Sequence, residues 1–354
     1  MRTTVARLVT LTLLVSACSA AAAEPTTTST TSAPTTTTST STTTTVAPTT
    51  TTSKNKSLLN GLPVSDPSLL DRRVLAIKID NHPAATPQSG VDKADMVIEL
   101  MVEGITRWMT FWHESDSDYL GPNRSGRPTD GEILTAFNNP TFVISGAQAW
   151  VQNLLRSKDI NLIKELSEGT FRISSRRAPH NLYVDTNVLR QTADTRGYPD
   201  DPPDGPIWQF GPLSPKATPA STVTIDFLGN IVTWTWDPAK GLWLRSAYDE
   251  ESMYVNEDGT GDRIGVPVLI ALYVEQYTIA PGAGQSGKPL PGEHTIGSGK
   301  AYVFADGKVV EGTWERDDET KWFTLTDADG NVINVPPGKS WVSLVPKSRG
   351  LTID

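Results

Sequence analysis

Polar and charged side chains that could act on a ligand are concentrated in three short stretches of the first half of the chain. The stretches are Asp80-Asn81-His82, the loop at residues 121–128 and the loop at residues 176–183. Arginine guanidinium groups bind carboxylate or phosphate through paired hydrogen bonds, and a helix predicted after the first loop would add free N–H donors. The sequence therefore predicts an anion-binding site. Its predicted ligand contacts are Arg124, Arg127, Arg177, His180, Asn181 and Tyr183.

The same residue types also permit acid–base catalysis. His180 would serve as the general acid or base, with Asp80 or Glu103 as its carboxylate partner. The loop arginines would then stabilise negative charge that develops during the reaction. These three residues are therefore the candidate catalytic groups. Hydrogen-bond contact between His180 and a carboxylate, in one concave pocket with both loop arginines, would favour this interpretation.

A purely structural alternative remains open for the two loop arginines. Arg124 and Arg127 could pair with acidic residues and tie loops together, as many arginines do. The acidic residues available for such pairs are Glu99, Glu103 and Asp130.

No metal or cofactor is expected. His82 and His113 lack a second ligand at a helical spacing, and Cys18 is the only cysteine. A single cysteine excludes an intramolecular disulfide and a cysteine-based zinc site. The chain also carries no phosphate-binding loop, dinucleotide fingerprint or nucleophile elbow.

The elements that must position the candidate residues are strands mixed with helices. Apolar or alternating runs predict strands at residues 74–80, 95–103, 106–112 and 140–145. Helical patterns are found at residues 129–137, 147–156 and 160–168. We therefore expect a mixed α/β N-terminal domain over residues 57–198.

A proline-rich linker at residues 199–221 is expected to separate this domain from a second one. Residues 222–346 hold short strand-like runs separated by turn signals, which predicts a mostly β C-terminal domain. The predicted fold class is α+β.

The N-terminus has the features of an exported, lipid-anchored protein. Arg2 and Arg7 precede a short apolar stretch that ends in Val15-Ser16-Ala17-Cys18. This ending resembles the bacterial lipobox, which predicts a signal peptide at residues 1–17, a lipid on Cys18 and a position at the extracytoplasmic face of the cell membrane. The alternative is an ordinary secretory signal with a chance cysteine. Residues 19–56 are almost entirely Thr, Ser, Ala and Pro, which predicts a disordered linker.

The net charge of −9 and the isoelectric point near 5.1 argue against nucleic acid as a partner of the whole surface.

Several uncommon strings together resemble the YerB-type bacterial lipoproteins, over nearly all of the chain after residue 57. They are Asn60-Gly61-Leu62-Pro63, Lys78-Ile79-Asp80-Asn81-His82-Pro83, Pro87-Gln88-Ser89-Gly90, Gly121-Pro122-Asn123-Arg124-Ser125-Gly126-Arg127, Ala178-Pro179-His180-Asn181-Leu182-Tyr183, Gly312-Thr313-Trp314 and Pro337-Gly338-Lys339-Ser340-Trp341. The resemblance implies two domains of unknown function on a lipid anchor, and it implies no activity, substrate or cofactor.

The first functional expectation is a non-enzymatic lipoprotein that binds an anionic envelope ligand or a protein partner. The alternative is a hydrolase or transferase that acts on an envelope glycan or phosphodiester. A third possibility is a purely structural role in assembly.

Overall fold

The computed structural model describes residues 55–279 and 289–354, which belong to one compact unit. The predicted signal peptide, Cys18 and nearly all of the predicted linker lie outside the described residues.

The part of the chain up to residue 198 contributes seven strands and three α-helices to the described fold. The strands are β1 (Leu75–Asp80), β2 (Met96–Met101), β3 (Thr106–Trp112), β4 (Thr141–Ile144), β5 (Asn161–Lys164), β6 (Thr170–Arg172) and β7 (Leu182–Val184). The helices are α1 (Pro128–Leu134), α2 (Ala149–Arg156) and α3 (Thr186–Thr195), and 3₁₀ turns occur at Pro67–Asp71, Pro83–Ala85 and Val91–Lys93. The Asp185 side chain caps α3 by accepting from the N–H groups of Asn187 and Val188.

The remainder of the described chain forms strands joined by turns. They are β8 (Thr218–Pro219), β9 (Thr222–Phe227), β10 (Asn230–Asp237), β11 (Leu242–Ala247), β12 (Glu250–Glu251), β13 (Met253–Val255), β14 (Gly261–Arg263), β15 (Gly265–Val266), β16 (Val268–Ile279), β17 (Leu290–His294), β18 (Gly297–Ala305), β19 (Lys308–Arg316), β20 (Thr324–Thr326), β21 (Ser340–Pro346) and β22 (Leu351–Ile353).

One long sheet unites the two halves of the described chain. Its strands follow the order β20-β19-β18-β16-β21-β2-β3-β1-β4-β5, with β17 paired to β16 and β8 paired to β19. Strand β21 lies in the middle and is parallel to both β16 and β2. Backbone hydrogen bonds therefore join a strand near the C-terminus to a strand near the start of the fold.

Both faces of this sheet are covered. On one face α1, α2 and the segment around Trp208 pack over the core. The other face packs against α3 and a second sheet, β12-β11-β10-β9-β22 with β15 paired to β11. Strands covered on both sides are apolar along most of their length, which explains why β1 and β2 are buried at every residue.

The observed fold is mainly β, with few and short helices, rather than evenly mixed. The prediction of a helix at residues 160–168 is wrong, because β5 occupies this region and pairs in parallel with β4 at the sheet edge. A short apolar run such as Leu162-Ile163 fits a buried strand as well as a helix, and periodicity alone does not distinguish them. No helix within the described residues is long and apolar enough to cross a bilayer.

Candidate functional site

Asp80 is the last residue of β1, and its side chain is only 1% exposed. One carboxylate oxygen, Oδ2, accepts a hydrogen bond from Nδ1 of His180 at 2.8 Å. The same oxygen lies 3.2 Å from Nε of Arg124, close enough for an ion pair but without hydrogen-bond alignment. The other oxygen accepts the backbone N–H of His82 at 3.1 Å. The buried carboxylate of Asp80 thus contacts three parts of the chain, at His82, Arg124 and His180.

His180 is held in one orientation by the fold. Its backbone N–H donates to the carbonyl of Arg177 at 3.0 Å, and its ring stacks on His82 with centroids 4.8 Å apart. Because Nδ1 donates to Asp80, the neutral ring carries its lone pair on Nε2. The side chain remains 17% exposed, so Nε2 is placed as a base or hydrogen-bond acceptor beside solvent.

The loop that carries the two predicted arginines is fixed between the ends of β1 and β4. The N–H of Arg124 donates to Lys78 O at 2.8 Å, and the N–H of Gly126 donates to Gly146 O at 2.9 Å. The buried amide of Asn123 donates to the carbonyls of Lys78 and Val143 at 2.8 and 3.0 Å. The loop therefore presents Arg124 and Arg127 from a rigid backbone.

Arg127 binds Glu103 with two of its nitrogens. Nη2 lies 2.7 Å from Oε1, and Nε donates to Oε2 at 3.1 Å. Burial acts to raise the pKa of Glu103, but the hydrogen bonds and charge of Arg127 hold the pKa below its usual value. The backbone N–H of Arg127 donates to Asp130 Oδ2 at 2.6 Å. This N–H group at the start of α1 is therefore bound by a carboxylate of the protein, whereas we expected it to be free for a ligand.

Sequence reasoning missed Arg107, whose charge interacts with those of the other two arginines. It is the second residue of β3 and lies directly opposite Asp80 in the β1–β3 pair. The side chain is buried, Nη1 donates to Ser125 O at 2.8 Å, and Nε has no hydrogen-bond partner among the described residues. Burial, with added repulsion from Arg127 and Arg124, lowers the pKa of Arg107 to about 9. The available signal was the antiparallel register, which brings the start of β3 to the end of β1.

We call Arg107, Arg124 and Arg127, together with Asp80 and Glu103, the arginine cluster. Three guanidinium groups face two carboxylates, which leaves an excess of positive charge even when His180 is neutral. A bound anion would balance this charge and could bind the exposed part of Arg124, whose side chain is 26% exposed.

Two predicted ligand contacts lie inside the fold. The Asn181 amide donates to Ile173 O at 3.1 Å and its oxygen accepts from Arg172. Tyr183 is buried, with its hydroxyl 3.4 Å from that of Ser89. In the structure these two side chains support the loop from inside, whereas Arg177 is exposed at its surface.

Two other acidic residues that were predicted as possible partners of the loop arginines pair with different basic residues. Glu99 pairs with Arg245 at 2.7 Å, and Asp130 pairs with Lys78 at 2.5 Å. Of the three acidic residues proposed to bind the guanidinium groups of the loop arginines, Glu103 does so and the other two do not.

Clefts are also found outside the cluster itself. One of about 290 Å³ is next to it, between the 81–88 loop and the β11–β13 region, and it is lined in part by Asn81, Gln88 and Tyr248. Another of about 1000 Å³ is lined by Trp208, Trp322 and other residues, none of which belongs to the cluster. Within the described residues, no three His, Cys, Asp or Glu side chains are placed to hold a metal ion.

Comparison with known proteins identifies the family. Residues 59–199 match the "Protein of unknown function (DUF3048) N-terminal domain", and residues 223–342 match the corresponding C-terminal domain. The chain belongs to this two-domain family.

The chain is similar to "Putative lipoprotein YerB" of Bacillus subtilis strain 168, with 26% identity over 302 residues, covering 83% of this chain and 87% of that protein. It also resembles the crystal structure of the YerB protein from Bacillus subtilis. That match has a TM-score of 0.71 and 25% identity, and it covers 84% of this chain and 100% of the other.

Proposed function

We propose that this protein is a lipoprotein, held at the extracytoplasmic face of the membrane by a lipid on Cys18, which binds an anionic envelope ligand or an acidic segment of a protein partner. The lipobox-like ending at Cys18 and the name of the Bacillus relative support the anchor. The Thr-, Ser- and Pro-rich linker would carry the folded part away from the membrane surface.

The observation that carries the binding proposal is the excess of guanidinium groups in the arginine cluster. The buried Arg107 remains next to Arg124 and Arg127, although like charges destabilise one another. Among the described residues, two carboxylates oppose them, and Glu103 is bound bidentately by Arg127. Arg124 contacts Asp80 without hydrogen-bond alignment, which leaves its donors free to bind an incoming oxyanion.

A thermal-shift titration tests this proposal. The protein is titrated with inorganic phosphate and with diphosphate at low ionic strength, alongside Arg124→Ala and a control, Arg349→Ala. Arg349 lies near Asp226 at 3.7 Å and is half exposed, so it is an arginine beside an acid outside the cluster. We expect anions to stabilise the parent and the control. The apparent anion affinity of Arg124→Ala should be at least tenfold lower than that of the parent. Equal stabilisation of all three proteins, or of none, would contradict the proposal.

A second candidate function is supported by the contact between Asp80 and His180. A carboxylate at 2.8 Å from Nδ1 orients the ring and leaves Nε2 to accept a proton, as required of a general base that activates water. Hydrolase or transferase activity on an envelope phosphodiester or glycan would use Nε2 of His180 and the charge of Arg124.

His180→Asn distinguishes the two functions. If the protein only binds, the variant keeps most of the anion affinity, and neither protein hydrolyses a chromogenic phosphodiester. If it is a hydrolase of phosphodiesters, the parent turns over this substrate and the variant loses at least a hundredfold in rate while still binding anions.

A further inference from the structure

Lys78 and Asp130 form a buried pair that neither proposed function uses. Lys78 lies in β1 and Asp130 in the first turn of α1, and both side chains are fully buried. Nζ of Lys78 is 2.5 Å from Oδ1 of Asp130. Burial lowers the pKa of Lys78, although the charge of Asp130 opposes this shift. Burial thus favours the neutral amine of Lys78 over its ammonium form.

A third buried acid lies close enough to this pair for its charge to interact with both groups. Glu293, in β17, donates its backbone N–H to the hydroxyl of Thr129 at 3.0 Å, one residue before Asp130. Its Oε1 accepts the N–H of Met101 at 3.2 Å. Oε2 is buried without a hydrogen bond of acceptable geometry among the described residues, although the amide of Gln276 lies nearby.

The raised pKa of Glu293 favours its protonated form at neutral pH. Burial raises its pKa to about 8; the charge of Asp130 adds to the rise, and Lys78 opposes it. A neutral carboxylic acid beside an amine and a second carboxyl can donate a proton and take one back.

We propose that Lys78 and Asp130 condense to an intramolecular amide cross-link, with Glu293 as the proton carrier. Proton transfer within the pair gives a neutral amine and a carboxylic acid. Nζ attacks Cγ of Asp130 and a C–N bond forms. Glu293 protonates the leaving hydroxyl and recovers a proton from the nitrogen as the C–O bond breaks. One water is released, nothing is oxidised or reduced, and Glu293 returns to its starting state.

The cross-link would replace two buried charges with one neutral amide and join residues that are 52 positions apart. A buried ion pair adds little net stability because desolvation offsets the attraction, whereas the amide removes that cost. The bond would connect β1 to α1 on either side of the loop that carries Arg124 and Arg127. It does not depend on whether the cluster binds an anion.

Mass spectrometry tests the cross-link directly. The full chain is purified in detergent, denatured and compared with Lys78→Arg, Glu293→Gln and the control Lys158→Arg. Lys158 pairs with Glu319 at a partly exposed position, where no condensation is expected. Comparing variants of the same chain cancels the mass of any lipid.

We expect the parent and Lys158→Arg to be about 18 Da lighter than their sequences require, the mass of one water. Lys78→Arg should lack this mass deficit. Most molecules of Glu293→Gln should also lack it. Tryptic digestion of the parent should yield one branched peptide that contains both Lys78 and Asp130. A parent of full mass, with tryptic cleavage after Lys78, would overturn the proposal. A full deficit in Glu293→Gln would overturn the role of Glu293.

Discussion

Removing the buried arginine that joins the two halves of the fold should cost several kcal/mol. Arg245 of β11 pairs with Glu99 of β2 at 2.7 Å, and both side chains are almost completely buried. Its guanidinium carbon lies 5.0 Å from the ring centroid of Trp108 and 5.6 Å from that of Trp341. We expect Arg245→Met to preserve much of the packing between these rings but to leave Glu99 without its cation.

The magnitude follows from what Glu99 retains. Its carboxylate still accepts hydrogen bonds from the hydroxyl of Thr106 at 2.7 Å, the indole of Trp341 at 3.1 Å and, at the longer distance of 3.5 Å, the amide of Asn81. An uncompensated buried charge typically costs about 3–5 kcal/mol, and the three remaining hydrogen bonds place the expected loss at about 3 kcal/mol. This should lower the Tm by roughly 5–10 °C.

Urea unfolding followed by tryptophan fluorescence measures this loss, with Arg349→Met as the exposed control. Adding Glu99→Gln to Arg245→Met removes the orphaned charge and should recover at least half of the lost stability. The reasoning is refuted if Arg245→Met costs no more than the control, or if the second substitution makes the loss larger.

Three other predictions follow from the sequence and the structure. Arg127→Ala should cost only about 1 kcal/mol or less in urea unfolding, because the side chain of its partner Glu103 is 37% exposed; a loss near that of Arg245→Met would contradict this. Burial, reinforced by the charge of Glu114, raises the pKa of Asp95 from 3.8 to about 6. Because the unfolded chain loses this proton at a lower pH than the folded chain, the free energy of unfolding should fall as the pH rises from about 4 to 6. Asp95→Asn should remove this slope, and an unchanged pH profile would exclude Asp95 as its source. Cys18→Ser should leave the protein unlipidated and outside the detergent-soluble membrane fraction, and normal membrane fractionation of this variant would contradict the anchor.

The sequence was most informative where local chemistry determines structure. The apolar run of β1 and the alternation of β3 predicted both strands, and the polar ending at Asp80 indicated where His180 and Arg124 meet a carboxylate. Asp80 and Glu103 were the two carboxylates predicted as possible partners of His180. Because 100 residues separate His180 from Asp80, only the folded structure shows that Asp80 is the partner.

Contacts between segments far apart in the chain could not be predicted from the sequence. Nothing local to β21 indicates that it lies between β16 and β2, since the crossover that joins parallel strands has a minimum length but no fixed one. The partner of Glu99 follows from this arrangement, because β11 lies in the sheet packed over Trp341. Arg107 was missed because a charged residue at the start of an alternating strand is ordinary, and its importance depends on what lies opposite.

The most direct test of the arginine cluster is a crystal structure of the protein soaked with selenate, a tetrahedral dianion with a strong anomalous signal. Our account predicts an anomalous peak within hydrogen-bond distance of Arg124 and beside Arg107 or Arg127, and the same peak should be absent from Arg124→Ala crystals. Selenate bound only elsewhere, with the guanidinium group of Arg124 turned fully onto Asp80, would show that the three arginines serve the fold alone.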